Sequence, residues 1–382
     1  MENKIKFYSL KNISTSEKYN HLTDEQKEAV QVVGSVLPFR VNNYVVDNLI
    51  DWNNIPNDPV YQLTFMQKGM LGDSQYEKVK TAINAEGSTT GDVAMAVYKV
   101  RQELNPHPAG QLSANVPSIN EQEVEGVQHK YTETVLVFPS AGQMCHSYCT
   151  FCFRWPQFIG DKDLKFSTDK DLLYLEYLKE HKEVTDVLIT GGDPMIMNTK
   201  MLKKFIEPLL GEEYSHIQNI RIGSKSLSYW PYRYTTDKDS EELLEFFTKV
   251  NESGKRLAFM AHINHPNEMQ TEVFRQAVKN IQKTGTIIRS QAPLLKHIND
   301  DASVWVKMWK EQVNLGIIPY YMFVERDTGP KEYFSVPLAK AYYIYQEAIS
   351  KVSGLARTVR GPSMSSHPGK VCVEGIKTLN GE

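Results

Sequence analysis

From about residue 130 the chain repeats one unit, a short β-branched run followed by a longer stretch with helical spacing. The runs fall at 133–140, 184–190, 217–224, 256–263, 286–291 and 317–324. Apolar strands alternating with helices point to a parallel sheet, because each parallel crossover needs a helix's worth of chain and lays that helix over the sheet. One intervening stretch shows the pattern: Val273, Phe274, Ala277, Val278 and Ile281 make a single apolar face, and Asn267 is the expected N-cap. Six units, with no seventh or eighth legible, predict an α/β fold of the partial (β/α)6 barrel type. A doubly wound open sheet is the alternative.

The flanks differ. Residues 1–115 read as a mainly helical, polar region, with an amphipathic stretch at 24–37 interrupted afterwards by Pro38, Pro56 and Pro59, and with Pro106, Pro108 and Gly110 marking a linker. Residues 352–382, punctuated by Gly354, Gly361, Pro362, Pro368 and Gly369, read as a loop-rich C-terminal segment, which leaves 116–351 for the barrel. Forty-three basic against forty-six acidic residues leave a net charge of −3, too little field to favour nucleic acid as a partner. No segment approaches the roughly 18 uninterrupted apolar residues of a membrane span, and the start has no apolar core of a signal peptide. A cytoplasmic protein without membrane contact is expected.

Four cysteines are too few for a disulfide scaffold, and three of them lie within eight residues. The segment Met144-Cys145-His146-Ser147-Tyr148-Cys149-Thr150-Phe151-Cys152-Phe153-Arg154-Trp155 has the spacing C-x3-C-x2-C and follows the first predicted strand. Three thiolates can hold three irons of a [4Fe–4S] cluster and leave the fourth open to an outside ligand. A zinc site completed by a histidine, or three buried thiols, also fits the spacing. After the second strand, Gly191-Gly192-Asp193-Pro194 makes a turn in which backbone can approach a small ligand closely.

Together with Leu37-Pro38-Phe39-Arg40-Val41-Asn42, His129-Lys130-Tyr131, Arg221-Ile222-Gly223-Ser224, His262-Ile263-Asn264-His265-Pro266-Asn267-Glu268, Ser290-Gln291 and Pro319-Tyr320-Tyr321, these motifs resemble those of radical S-adenosylmethionine (SAM) enzymes, and among them the lysine 2,3-aminomutase family. The resemblance runs over roughly residues 36–375. It implies that Cys145, Cys149 and Cys152 bind the cluster, that SAM chelates the open iron, and that reductive cleavage yields a 5′-deoxyadenosyl radical. Gly191, Gly192 and Asp193 would contact the methionine end of SAM, while Ser224, His262, Asn264 and Gln291 match further cofactor positions. The electron would come from a flavodoxin- or ferredoxin-type donor, and the protein would be a homo-oligomer.

The same resemblance implies pyridoxal phosphate (PLP), carried by Lys370 as the catalytic lysine, with Lys130 and Tyr131 near its phosphate; Thr134 stands where the family has a second phosphate-binding arginine. Arg154 matches the arginine that takes the substrate's α-carboxylate. Where lysine-specific members place two aspartates for the distal ammonium, this chain has Arg326 and Ser363. A guanidinium there would repel a lysine ammonium and attract a carboxylate. The expected reaction is therefore a 2,3-amino shift on a small, acidic amino acid. A PLP-independent radical SAM enzyme and a non-catalytic metal-binding protein are the alternatives. Cys372 is expected to be structural, and no C-terminal zinc site is expected.

Overall fold

The computed structural model describes residues 4–105, 115–160, 166–168, 171–366 and 369–377. Pro106, Pro108, Gly110 and Pro368 lie outside them. A nine-stranded sheet dominates: β1 (Val127–Tyr131), β2 (Thr134–Val137), β3 (Asp186–Ile189), β4 (Asn219–Ser224), β5 (Arg256–His262), β6 (Ile287–Leu294), β7 (Ile318–Val324), β8 (Arg360–Ser366) and β9 (Gly369–Cys372), paired in sequence order. β2 to β8 run parallel, and β1 and β9 add antiparallel edges. The six predicted strands are β2 to β7.

β8 and β9 correct the loop-rich reading of the C-terminal segment. Arg360-Gly361-Pro362-Ser363-Met364-Ser365-Ser366 carries no β-branched run, so its extension comes from its place between β7 and β9 rather than from local preference. The first strand then reaches β8 at the far side of the sheet. Lys130 on β1 donates from Nζ to Ser365 Oγ on β8 at 2.9 Å and to the Ser366 carbonyl oxygen, so the sheet curls into a nearly closed barrel.

Alternate strand residues face the surrounding helices and are buried, among them Val135, Val137, Val187, Ile189, Ile220, Ile222, Leu257, Phe259 and Ile288. Their neighbours Leu136, Leu188, Arg221, Arg289, Gln291 and Tyr321 face the lumen and stay half-buried. Helix Glu272–Lys283 buries Phe274, Ala277, Val278 and Ile281 as its spacing requires, but its N-cap is Thr271, whose side chain accepts from Phe274 N at 3.2 Å. Asn267 belongs instead to a 3-10 turn, Pro266–Met269, that buries Glu268.

The N-terminal region is helical as expected, with helices Asp24–Val36, Asp73–Asn84 and Thr90–Leu104. It has its own apolar core, into which the barrel contributes Trp155, Tyr229, Trp230, Leu295, Ile298 and Phe334. Trp155 and Tyr229 come from the loops beyond β2 and β4, so this region is packed onto the C-terminal mouth of the barrel. Among the described residues no helix is long and apolar enough to cross a membrane.

Candidate active site at the barrel mouth

The cysteine loop leaves the C-terminal end of β2 and is held mainly by backbone hydrogen bonds from the N-terminal region. Tyr148 N donates to Arg40 O at 2.8 Å and Thr150 N to Leu63 O at 3.0 Å; Thr150 Oγ1 donates to Gln62 O at 2.8 Å. Asn42, fully buried, donates from Nδ2 to His146 O at 3.0 Å and Tyr229 O at 2.9 Å, and its N–H reaches Ser147 Oγ at 3.1 Å. One side chain thereby ties the cysteine loop to the segment after β4.

The Gly191-Gly192 turn packs under this loop. A Cβ on Gly192 would come within 2.7 Å of Met144 N, and one on Gly191, at φ +149°, within 2.3 Å of Gln143 Nε2, so only glycine lets the β3 turn and the cysteine loop touch. Asp193 N donates to Gly142 O at 2.9 Å. The Asp193 carboxylate accepts from Ser224 Oγ at 2.6 Å, Met195 N at 3.0 Å and Lys225 N at 3.0 Å. The Asp193 and Ser224 side chains are thus engaged with one another, and what this turn offers a ligand is mainly backbone.

Beneath the loop lies a buried ion pair. Lys225 Nζ donates to Glu268 Oε2 at 2.6 Å and Asn264 Oδ1 at 2.8 Å, and Glu268 Oε1 accepts from Asn264 N and His265 N at 2.7 and 3.0 Å. His262, the last residue of β5, packs edge-on against Phe151 at 5.7 Å. Burial, reinforced by Lys225, holds its imidazole well below the usual range and hence neutral. Gln291 sits within β6 beside a register shift rather than at its end.

Burial pushes all three thiols up, Cys149 to about 12, although each residue keeps some accessible surface at the mouth. A metal is what would bring such sulfurs to thiolate. Three cysteine sulfurs carried on one loop are a donor set that fits a [4Fe–4S] cluster, each thiolate binding one corner and the fourth iron left open. Several buried polar atoms also form no hydrogen bond: His146 Nδ1, Arg154 Nε, Tyr229 Oη, His262 Nε2, Asn264 Nδ2 and Ser363 Oγ. Those of His262 and Asn264, with the backbone of the glycine turn, suit a polar ligand such as SAM, since buried polar groups ordinarily find partners.

Cations stand in and near the cysteine loop. Arg154 donates from Nη2 to Gln143 Oε1 at 3.0 Å and stacks over Phe138 at 4.4 Å, which leaves Nε unpartnered. Arg326 stacks over Phe153 at 4.9 Å and donates to Ser365 O at 3.3 Å. Among the described residues it has no carboxylate partner, for Asp327 pairs with Lys331 and Glu325 stands apart, its carboxyl raised to about 8 by burial. Lys370 lies directly across from Ser365 in the β8–β9 pair, its ammonium 4.2 Å from Tyr321 and 4.6 Å from Phe323. Burial, with repulsion from Lys130, Arg221 and Arg326 outweighing the pull of Cys372, lowers it to about 8. Lys130 lies 5.6 Å from the Tyr131 ring. Ser363, on β8, is fully buried, and Thr134 Oγ1 turns to Asp186 at 3.5 Å.

The cysteines, the glycine turn, Ser224, His262, Asn264 and Arg326 thus gather at the C-terminal strand ends, where such folds build active sites, whereas Gln291 and Ser363 lie within strands and Lys130 and Tyr131 beside the start of β2. A concavity of about 480 Å³ at the other end, by the starts of β4 and β5, has its buried Lys255 bound to the Tyr214 and Ile217 carbonyls. Asn42, Lys225, Tyr229 and the Lys225–Glu268 pairing went unassigned in the sequence. Asn42 and Glu268 lay inside motifs already singled out, but their partners are 104 and 43 residues away.

No family model matches the chain, but curated relatives do. A putative L-lysine 2,3-aminomutase of Aquifex aeolicus is 34% identical over 355 residues, 93% of this chain and 82% of its own length. The L-lysine 2,3-aminomutase of Acetoanaerobium sticklandii is 27% identical over 90% of this chain and 71% of its own, and that of Escherichia coli 30% identical over 62% and 67%. The chain belongs to the lysine 2,3-aminomutase family of radical SAM enzymes, isomerases whose chemistry implies a [4Fe–4S] cluster and SAM.

Proposed function

We propose that this enzyme moves the amino group of a small acidic amino acid, glutamate or aspartate, from C2 to C3, using PLP on Lys370 beside the cluster and SAM. The observation that carries the reading is a set of neighbouring cations, Lys130, Arg326 and Lys370, in which Arg326 stacks on Phe153 of the cysteine loop and has no carboxylate partner among the described residues. When bound, the cluster and SAM supply a hydrogen-abstracting radical, and PLP supplies a π-system that lets nitrogen migrate.

Cys145, Cys149 and Cys152 hold the cluster; the Gly191-Gly192 backbone, His262, Asn264 and Gln291 receive SAM, with Asp193 and Ser224 fixing the turn. The Arg154 guanidinium, charged because burial lowers it only to about 10, takes the α-carboxylate as a fork of donors. Arg326 takes the side-chain carboxylate, with the Ser363 hydroxyl below it, and Lys130 with Tyr131 favours the phosphate. A flavodoxin- or ferredoxin-type protein delivers the electron, and the working form is a homo-oligomer.

The direct test is an anaerobic screen of amino acids on reconstituted protein, reading 5′-deoxyadenosine and β-amino acid together. Glutamate or aspartate should turn over and lysine should not; lysine turnover with both acids inert would refute the substrate assignment. Cys149→Ala should lose most bound iron and fall to background in 5′-deoxyadenosine release, whereas retention of both would remove Cys149 from the ligand set.

A second expectation concerns pH. An ordinary lysine ammonium releases its proton near 10.4, whereas Lys370 does so at about 8. Its amine, the form that attacks an aldehyde, is therefore scarce below pH 8 and abundant above. Borohydride-fixable PLP should form at an initial rate that rises about tenfold per unit at acid pH and flattens just above 8. Lys370→Ala should yield no such adduct while still cleaving SAM, and a wild-type rate still climbing at pH 10 would contradict the lowered value.

A further inference from the structure

Tyr229 is 1% exposed and its hydroxyl has no formed hydrogen bond, an arrangement that ordinarily costs about 1–3 kcal/mol unless some partner relieves it. The neighbour that its hydroxyl faces is the Cys149 thiol, with which no hydrogen bond is formed. On its ring face sits the Lys225 ammonium, 4.4 Å from the centroid. That ammonium is itself within electrostatic reach of Cys149 and is held there by Glu268, Asn264 and the His262 carbonyl oxygen. A cation on a phenol's face withdraws electron density from the ring and makes the O–H a better donor. A neutral thiol is a weak acceptor, but a thiolate bound to iron is a strong one.

We propose that Tyr229 and the Lys225–Glu268 pair form a positioning relay that sets the reduction potential of the cluster through the sulfur of Cys149. The inference rests on the reading of Cys149 as a cluster ligand. Hydrogen bonds to cluster sulfurs and nearby charge are among the levers that tune such potentials, because both stabilise the extra electron of the reduced state. Tyr229 donates to the sulfur, Lys225 adds positive charge, and Glu268 offsets part of that charge while fixing the ammonium in place. Each therefore has a predictable sign, and the signs are not all the same.

The test uses anaerobically reconstituted full-length protein and reads the cluster's midpoint potential by visible absorbance and electron paramagnetic resonance, with iron counted per chain. Tyr229→Phe, which keeps ring and volume, should retain iron and become harder to reduce, the reduced-to-oxidised ratio at a fixed poise falling several-fold; a tenfold fall corresponds to about 59 mV for one electron. Glu268→Gln should shift the potential in the opposite direction, a pair of signs that general loosening would not produce. Should Glu268→Gln fail to fold, Tyr229→Phe alone decides. A Tyr229→Phe protein with full iron and the wild-type potential overturns the relay. Wild-type protein that assembles no [4Fe–4S] cluster refutes instead the functional reading beneath it.

Discussion

Lys225→Met is expected to destabilise the protein by about 3–5 kcal/mol, because it strands the Glu268 carboxylate in the interior. Glu268 is fully buried and the Lys225 side chain only 9% exposed, so water cannot replace the lost ammonium at 2.6 Å. Two backbone donors, Asn264 N and His265 N, still reach the carboxylate and relieve part of the penalty. At a melting entropy scaled to 382 residues, the loss corresponds to a fall in Tm of about 4–6 °C by calorimetry. The double variant Lys225→Met with Glu268→Leu should recover much of it, since an apolar pair of similar volume removes the uncompensated charge. A single variant melting with the wild type would mean that the pair is not closed from solvent as described.

Arg326→Asp is expected to turn the substrate preference over. Asp327 is paired with Lys331 and Arg326 has no carboxylate partner among the described residues, so its charge is available to the mouth. Two unit charges about 4 Å apart interact by about 4 kcal/mol at an effective dielectric of 20, but Arg326 is exposed and solvent screens most of that. A tenfold to hundredfold fall in kcat/KM for glutamate is the realistic scale, about 1.4–2.8 kcal/mol. Lysine, whose ammonium the guanidinium repels, should gain. Unchanged glutamate turnover in Arg326→Asp would show that Arg326 does not meet the substrate.

Much of the frame was legible in one dimension because its signals are local. The six central strands announce themselves as β-branched runs, the helix at Glu272–Lys283 as a 3.6-residue repeat, and the cysteine loop as a spacing that few chemistries share. The misses have one cause. Thr271 displaced Asn267 as the cap because Pro266 and the buried Glu268 start a separate turn first. β8 and β9 read as loop because Gly361, Pro362 and three serines have little strand preference of their own, and only pairing beside β7 extends them. Asp193 and Ser224 looked like two ligand contacts and proved also to be each other's partners.

The sequence by itself determined the reaction class: three cysteines at their spacing, the glycine turn and the ordered motifs are properties of short segments, and short segments carry them wherever they fold. Tertiary structure alone decided which charges are paired and which are open. It joined Lys225 to Glu268 and Asn42 to the cysteine loop, turned Lys130 across the barrel seam, and left Arg326 at the mouth without a carboxylate partner among the described residues. A charge's effect depends on distance and surrounding dielectric, and neither exists until residues far apart in the chain are packed together.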